Sequence, residues 1–94
     1  MKKETAPAAD SWFVYILRCA DGSLYTGITK DLSRRFEQHN AGTASRYTRS
    51  RLPVVLEYQA AQSSQSAALK RELAIKGLTR ERKEKLIEGV KNGK

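Results

Sequence analysis

The chain has a single cysteine, Cys19, in 94 residues, so no disulfide can form within it. A zinc site of the Cys/His type is also excluded, because it needs further cysteines beside the lone histidine, His39. No apolar run approaches the ~20 residues of a membrane span. The opening MKKETAPAAD carries two lysines with no apolar stretch behind them, unlike a secretory signal. Acidic residues are scarce: 10 Asp and Glu stand against 18 Lys and Arg, a net charge of +8. These absences rule out a disulfide-stapled scaffold and a zinc module, and they point away from a membrane role. They suit a protein of the reducing cytoplasm. Cys19, at the end of a hydrophobic run, reads as a small packing residue.

What is present fits one small domain. Hydrophobic residues make up 39%, enough for a modest core. The charge speaks to partners rather than to fold, and a polyanion is the natural one. On charge alone DNA, RNA and an anionic membrane surface all remain open, with no obligate protein partner evident.

SWFVYILRCA (11–20) is a continuous aromatic and β-branched run, the pattern of a buried strand. Asp21-Gly22 signals a hairpin turn, and LYTGITK (24–30) returns as a second strand. Asp31 is placed to cap a helix over 32–42 that ends at Gly42. Leu32 and Phe36, one turn apart, would face the sheet. TASRYTRSR (43–51) has no apolar period and reads as an exposed basic loop. Pro53 opens a third strand over 54–60. Ser63 or Ser64 would cap a helix over 65–77, and Thr79 a last helix over 80–90. The expectation is therefore an α+β domain of order β-β-α-β-α-α over 11–90. Residues 1–10 read as a disordered lead and 91–94 as a frayed tail.

Several side chains have both a structural and a chemical reading. Tyr15 and Tyr25 would stand side by side across the hairpin, as packing partners or as a pair of working phenols. Gly27 presents no side chain, so another group can approach the sheet closely there. Arg35 and His39 share a helical row. The Arg fork suits phosphate oxygens, and His39 either relays a proton or favours the helix C-terminal dipole. Glu72 falls inside an apolar arc of its helix. A carboxylate there needs hydrogen-bond donors or a cation, with Arg35 as the structural candidate and a divalent metal such as Mg²⁺ as the functional one. Arg46, Tyr47, Arg49 and Arg51, with Lys30 and Arg34 nearby, combine charge with one stacking ring and suit contacts to a nucleic-acid backbone.

VYIL (14–17), YTGIT (25–29), DLSRRFEQHN (31–40) and Glu72 in LKRELAIKGLTR together resemble the GIY-YIG nuclease superfamily, most closely its small stand-alone bacterial branch of UPF0213 (URI) type. The resemblance runs from residue 12 to about residue 88. It implies a three-stranded antiparallel sheet flanked by helices and a metal-dependent phosphodiester hydrolase acting on DNA, with repair or recombination intermediates among its substrates. Tyr15 and Tyr25 are similar to the two motif tyrosines, Gly27 to the motif glycine and Arg35 to the family arginine. Glu72 is similar to the glutamate that holds Mg²⁺ or Mn²⁺, and His39 to a histidine of several branches. The chain departs from the family pattern in Val14-Tyr15-Ile16 and Tyr25-Thr26-Gly27, and no Asn follows Glu72 before Asn92. The alternative is a nucleic-acid-binding module of the same fold that cleaves weakly or not at all.

Overall fold

Strand β1 (Trp12–Arg18) sits at the centre of the sheet, between β2 (Leu24–Thr29) and β3 (Val55–Gln62), and both pairings are antiparallel. The computed structural model describes residues 11–92, so the expected lead over 1–10 and the last two residues of the tail lie outside the described residues. Being central explains why β1 is the most apolar segment: Val14, Ile16 and Leu17 are fully buried, because helices cover both of its faces. The β1–β2 turn follows the Asp-Gly signal. Gly22 takes a positive φ of 87°, and Asp21 accepts bonds from the Ser23 amide and hydroxyl.

Alternation along β1 splits the core in two. Val14 and Ile16 join Tyr58, Ala68, Ile75 and Ile87 on one face. That face lies under α3 (Gln65–Lys76) and α4 (Arg80–Asn92). Tyr15, Leu17 and Cys19 face the other way with Val54, against Leu32 and Phe36 of α1 (Leu32–Asn40). A register shift between Ile16 and Leu17 lets Glu57 bulge out of β3, where it accepts a 2.7 Å bond from the Arg18 guanidinium. Arg18 also grips both oxygens of Glu84 at 2.6 and 2.9 Å, fastening α4 to the sheet. Those two carboxylates push the Arg18 pKa up, and the same contact holds Glu84 at about 2.

The capping expectations agree with the structure. Asp31 accepts from the Arg34 amide, Ser64 from Ala67 and Thr79 from Arg82. Helix α1 stops at Asn40, and Gly42 takes φ 81° just beyond it. Asn40 then bonds the Val54 backbone at both its N–H and C=O, tying the end of α1 to the start of β3. The Leu52–Pro53 peptide is cis. Helix α4 runs to Asn92, past the boundary expected at 90. Among the described residues, no helix is long and apolar enough to cross a membrane.

One segment differs from its expectation. The stretch 43–51, read as an exposed loop, contains a single helical turn, α2 (Arg46–Arg49). It lacks an apolar period because polar bonds hold it instead. The Ser45 hydroxyl accepts from the Thr48 amide, and Thr48 itself is fully buried. The three-stranded antiparallel sheet flanked by helices is otherwise the architecture expected, with α2 as an insertion in its order.

Candidate active site

The β1–β2 register places Tyr15 opposite Gly27, on the face covered by α1. The Tyr15 ring lies over that glycine. A Cβ on residue 27 would stand 2.5 Å from the phenol oxygen. The open space expected at Gly27 is thus filled from within, by the phenol itself.

The Tyr15 hydroxyl meets His39 Nε2 at 2.9 Å, and His39 Nδ1 meets the Thr48 hydroxyl at 2.8 Å. All three residues are buried. Thr48 in turn is within bonding distance of the Ser45 hydroxyl and carbonyl, at 3.2 and 3.4 Å. Burial is the largest influence pushing the Tyr15 pKa up. Tyr25 adds to it, Arg35 opposes it, and Glu72 adds a further rise. The His39 pKa is pushed down, first by burial and then by Arg35. Near neutrality both groups are therefore uncharged. In the tautomer with Nε2 bare, Tyr15 O–H is the donor of this bond. The imidazole proton then sits on Nδ1 and is donated to Thr48, whose own hydroxyl donates to Ser45.

Around this chain of bonds the other expected side chains fall into place. Tyr25 packs edge-on against His39, with ring centres 5.2 Å apart, and lies 6.5 Å from Tyr15. Arg35 and Glu72 both lie close enough to the phenol for their charges to act on it, with opposite signs. Glu72 is at the border of the sheet-facing side of α3, beside buried Ala68 and Ile75, and its side chain is 15% exposed. Its ion-pair partner is Lys76, at 3.2 Å, rather than the Arg35 considered from sequence.

The basic residues divide. Lys30, Arg34 and Arg35 line a groove of about 370 Å³ at the end of β2. Arg46 and Arg49 line another of about 320 Å³ beside Gly42 and Thr43. Tyr47 and Arg51 are engaged within the protein. Tyr47 stacks on Tyr25 with 6.0 Å between ring centres, and the Arg51 guanidinium lies 3.9 Å from the Tyr47 ring centre. Arg51 also bonds the Asp21 carboxylate at 3.0 Å and the Tyr47 carbonyl at 2.8 Å. Both residues brace the site wall.

Sequence reasoning missed Thr48 and Lys76. Ser45, three residues before Thr48 in SRYT, is a capping signal that marks the turn, but a single turn gives no hydrophobic period to notice. Lys76 is an i,i+4 partner of Glu72, a spacing visible in the sequence.

Among the described residues, no group of three or more Asp, Glu, His or Cys side chains converges to hold a metal. One carboxylate with a cation already beside it still fits Mg²⁺. That ion commonly takes one or two carboxylates and completes its shell with water and substrate phosphate. The Lys76 ammonium marks a place where positive charge is accommodated.

The GIY-YIG catalytic domain matches residues 11–85, and the chain belongs to that family. Within it, the chain is similar to a UPF0213 protein of Staphylococcus aureus (strain Mu3), 54% identical over 78 residues, which are 83% of this chain and 95% of that one. Two solution NMR structures share the fold. The UPF0213 protein BH0048 from Bacillus halodurans has 42% identity and a TM-score of 0.57, over 88% of this chain and 87% of that one. The protein EF2693 from E. faecalis has 38% identity and a TM-score of 0.60, over 86% of each.

Proposed function

We propose that this domain is an endonuclease that hydrolyses phosphodiester bonds in DNA with the help of Mg²⁺ or Mn²⁺, and that its working residues are Tyr15, Tyr25, Arg35, His39 and Glu72. The observation that carries the reading is the buried bond between Tyr15 and His39 Nε2, with a guanidinium and a carboxylate in electrostatic reach. Glu72 would hold the cation, which when bound stabilises charge on the phosphate and on the leaving oxygen. Arg35 neutralises charge building on the non-bridging oxygens.

Burial makes Tyr15 a poor phenolate, so it serves best as a relay. It gives its proton to His39 Nε2 as it takes one from the attacking water. His39 can accept because Nε2 is bare and the ring is neutral. Tyr25 closes the side of the pocket by packing on His39. Lys30, Arg34, Arg46 and Arg49 supply backbone contacts to the nucleic acid around the site, while Tyr47 and Arg51 hold the Tyr25 wall in place. Branched or gapped DNA of the kind met in repair or recombination is the substrate class to survey first.

The discriminating experiment is Glu72→Ala. Cleavage of DNA in Mg²⁺ or Mn²⁺ should fall by orders of magnitude, while binding measured in EDTA is largely kept. Equal nicking by wild type and variant would refute the reading. Wild-type protein that binds but cleaves nothing with either metal would instead favour a binding module of the same fold.

A further inference from the structure

A second groove shares the Tyr25–Tyr47 wall of the site on its α3/α4 side. It holds about 280 Å³ and is lined by Leu24, Tyr25, Thr26, Tyr47, Lys76 and Lys83. Its basic residues come from α3 and α4. Along β2 the lining residues end at Thr26, and those of the groove holding Lys30, Arg34 and Arg35 resume at Ile28. Gly27, under the Tyr15 phenol, lies between them. Because β2 is an edge strand, a polyanion can pass along it from one groove to the other.

We infer that Lys76 and Lys83 form a second phosphate-binding subsite, which holds the nucleic-acid backbone next to the phosphate under attack at the Tyr15–His39 site. No carboxylate lines this groove. On α4, Arg80 pairs with Glu84 and Lys85 with Glu81, whereas Lys83 makes no ion pair among the described residues. Arg82 makes none either, but of the two only Lys83 lines the groove. Lys76 reaches the groove while its ammonium sits 3.2 Å from Glu72, which links the subsite to the carboxylate at the reaction centre. The opposite wall is rigid, since Tyr47 is stacked on Tyr25 and clamped by Arg51, which Asp21 holds. Two ammonium groups facing an aromatic wall suit a phosphodiester with its sugar against the rings.

The inference rests on the nuclease reading, so its test uses binding without metal. Affinity for a short fluorescent oligodeoxynucleotide is measured in EDTA across a salt series, for wild type and Lys83→Gln, Lys83→Arg and Lys85→Gln. A lost phosphate contact lowers the slope of log affinity against log salt by about 0.7–0.9. Lys83→Gln should show that drop with several-fold weaker binding, Lys83→Arg should retain the wild-type slope, and Lys85→Gln should change nothing. Lys76→Gln should repeat the Lys83→Gln result. An unchanged slope in Lys83→Gln overturns the subsite even where Mg²⁺-dependent cleavage persists. An equal drop in Lys85→Gln overturns it too, because general charge would then explain the effect. Wild type that fails to bind at all overturns it outright.

Discussion

Replacing Gly27 by alanine tests how tightly the Tyr15 phenol is seated. The new methyl carbon would meet the Tyr15 oxygen at 2.5 Å, Cζ at 2.7 Å and Cε2 at 3.2 Å. Carbon contacts are comfortable only near 3.5–4.0 Å, so an overlap of about 1 Å must be relieved. The ring has little freedom to relieve it. It is 2% exposed and packed in the core with Leu17 and Val54, and its hydroxyl is anchored to His39 at 2.9 Å. A shift of that size breaks the bond. Overpacking costs about 1–3 kcal/mol, and the unpaired buried groups cost about 1–3 kcal/mol more. The lower chain entropy of Ala returns about 0.5–1 kcal/mol. A net loss of about 1–5.5 kcal/mol follows, and the middle of that range, ~3 kcal/mol, lowers Tm by roughly 12–24 °C for a domain this size. Urea and thermal denaturation measure it. The same change in a Tyr15→Ala background should be neutral or mildly stabilising, because the clash has no partner there. Gly27→Ala as stable as wild type in the Tyr15 background would refute the seating argument.

Two further outcomes concern the hydrogen-bond chain. Thr48→Val should strand His39 Nδ1–H in the interior, costing about 1–3 kcal/mol. ¹⁵N NMR of the imidazole should then show the proton leaving Nδ1, while Thr48→Ser keeps both stability and tautomer; an unchanged tautomer in the Val variant would mean that Thr48 does not set it. The second outcome is a pH dependence. The folded His39 pKa lies below its ordinary 6.5, so the unfolded chain binds the proton more readily. Its stabilising contribution is complete above about pH 6.5 and is lost as pH falls through that value towards the folded pKa. Thermal melts should show this slope in wild type and less of it in His39→Gln; equal slopes would show that His39 is not the titrating group.

Much of the fold was legible because the strongest signals are local and mutually consistent. A β-branched run, Asp21-Gly22, and the capping residues Asp31, Ser64 and Thr79 each act within a few residues, and each is used as its chemistry suggests. Helix α2 was not legible. Its single turn is stabilised by Ser45 and by a bond from His39, a residue on a different helix. A polar stretch held by long-range polar contacts carries no period. The outward-facing leucines of α3 blurred the other estimate. Leu69 and Leu73 belong to the apolar arc drawn around Glu72, yet they are 43% and 69% exposed. Only Ala68 and Ile75 on that helix are buried.

The candidate site separates in the same way. Tyr15, Tyr25 and His39 converge because strand pairing and one helical row fix them, and both are readable as spacing. The roles of Gly27, Tyr47 and Arg51 needed coordinates, because each acts on another side chain. Gly27 admits the Tyr15 ring, while Arg51 steadies Tyr47 against Tyr25. This explains how so small a domain keeps a polar site rigid. With little core to spare, it embeds the phenol in the hydrophobic cluster under α1 and links it through His39 to Thr48 and Ser45. Embedding them has a chemical consequence. The groups best held in place are also the ones most resistant to ionising, so the proposed relay fits a concerted transfer better than one through a free phenolate.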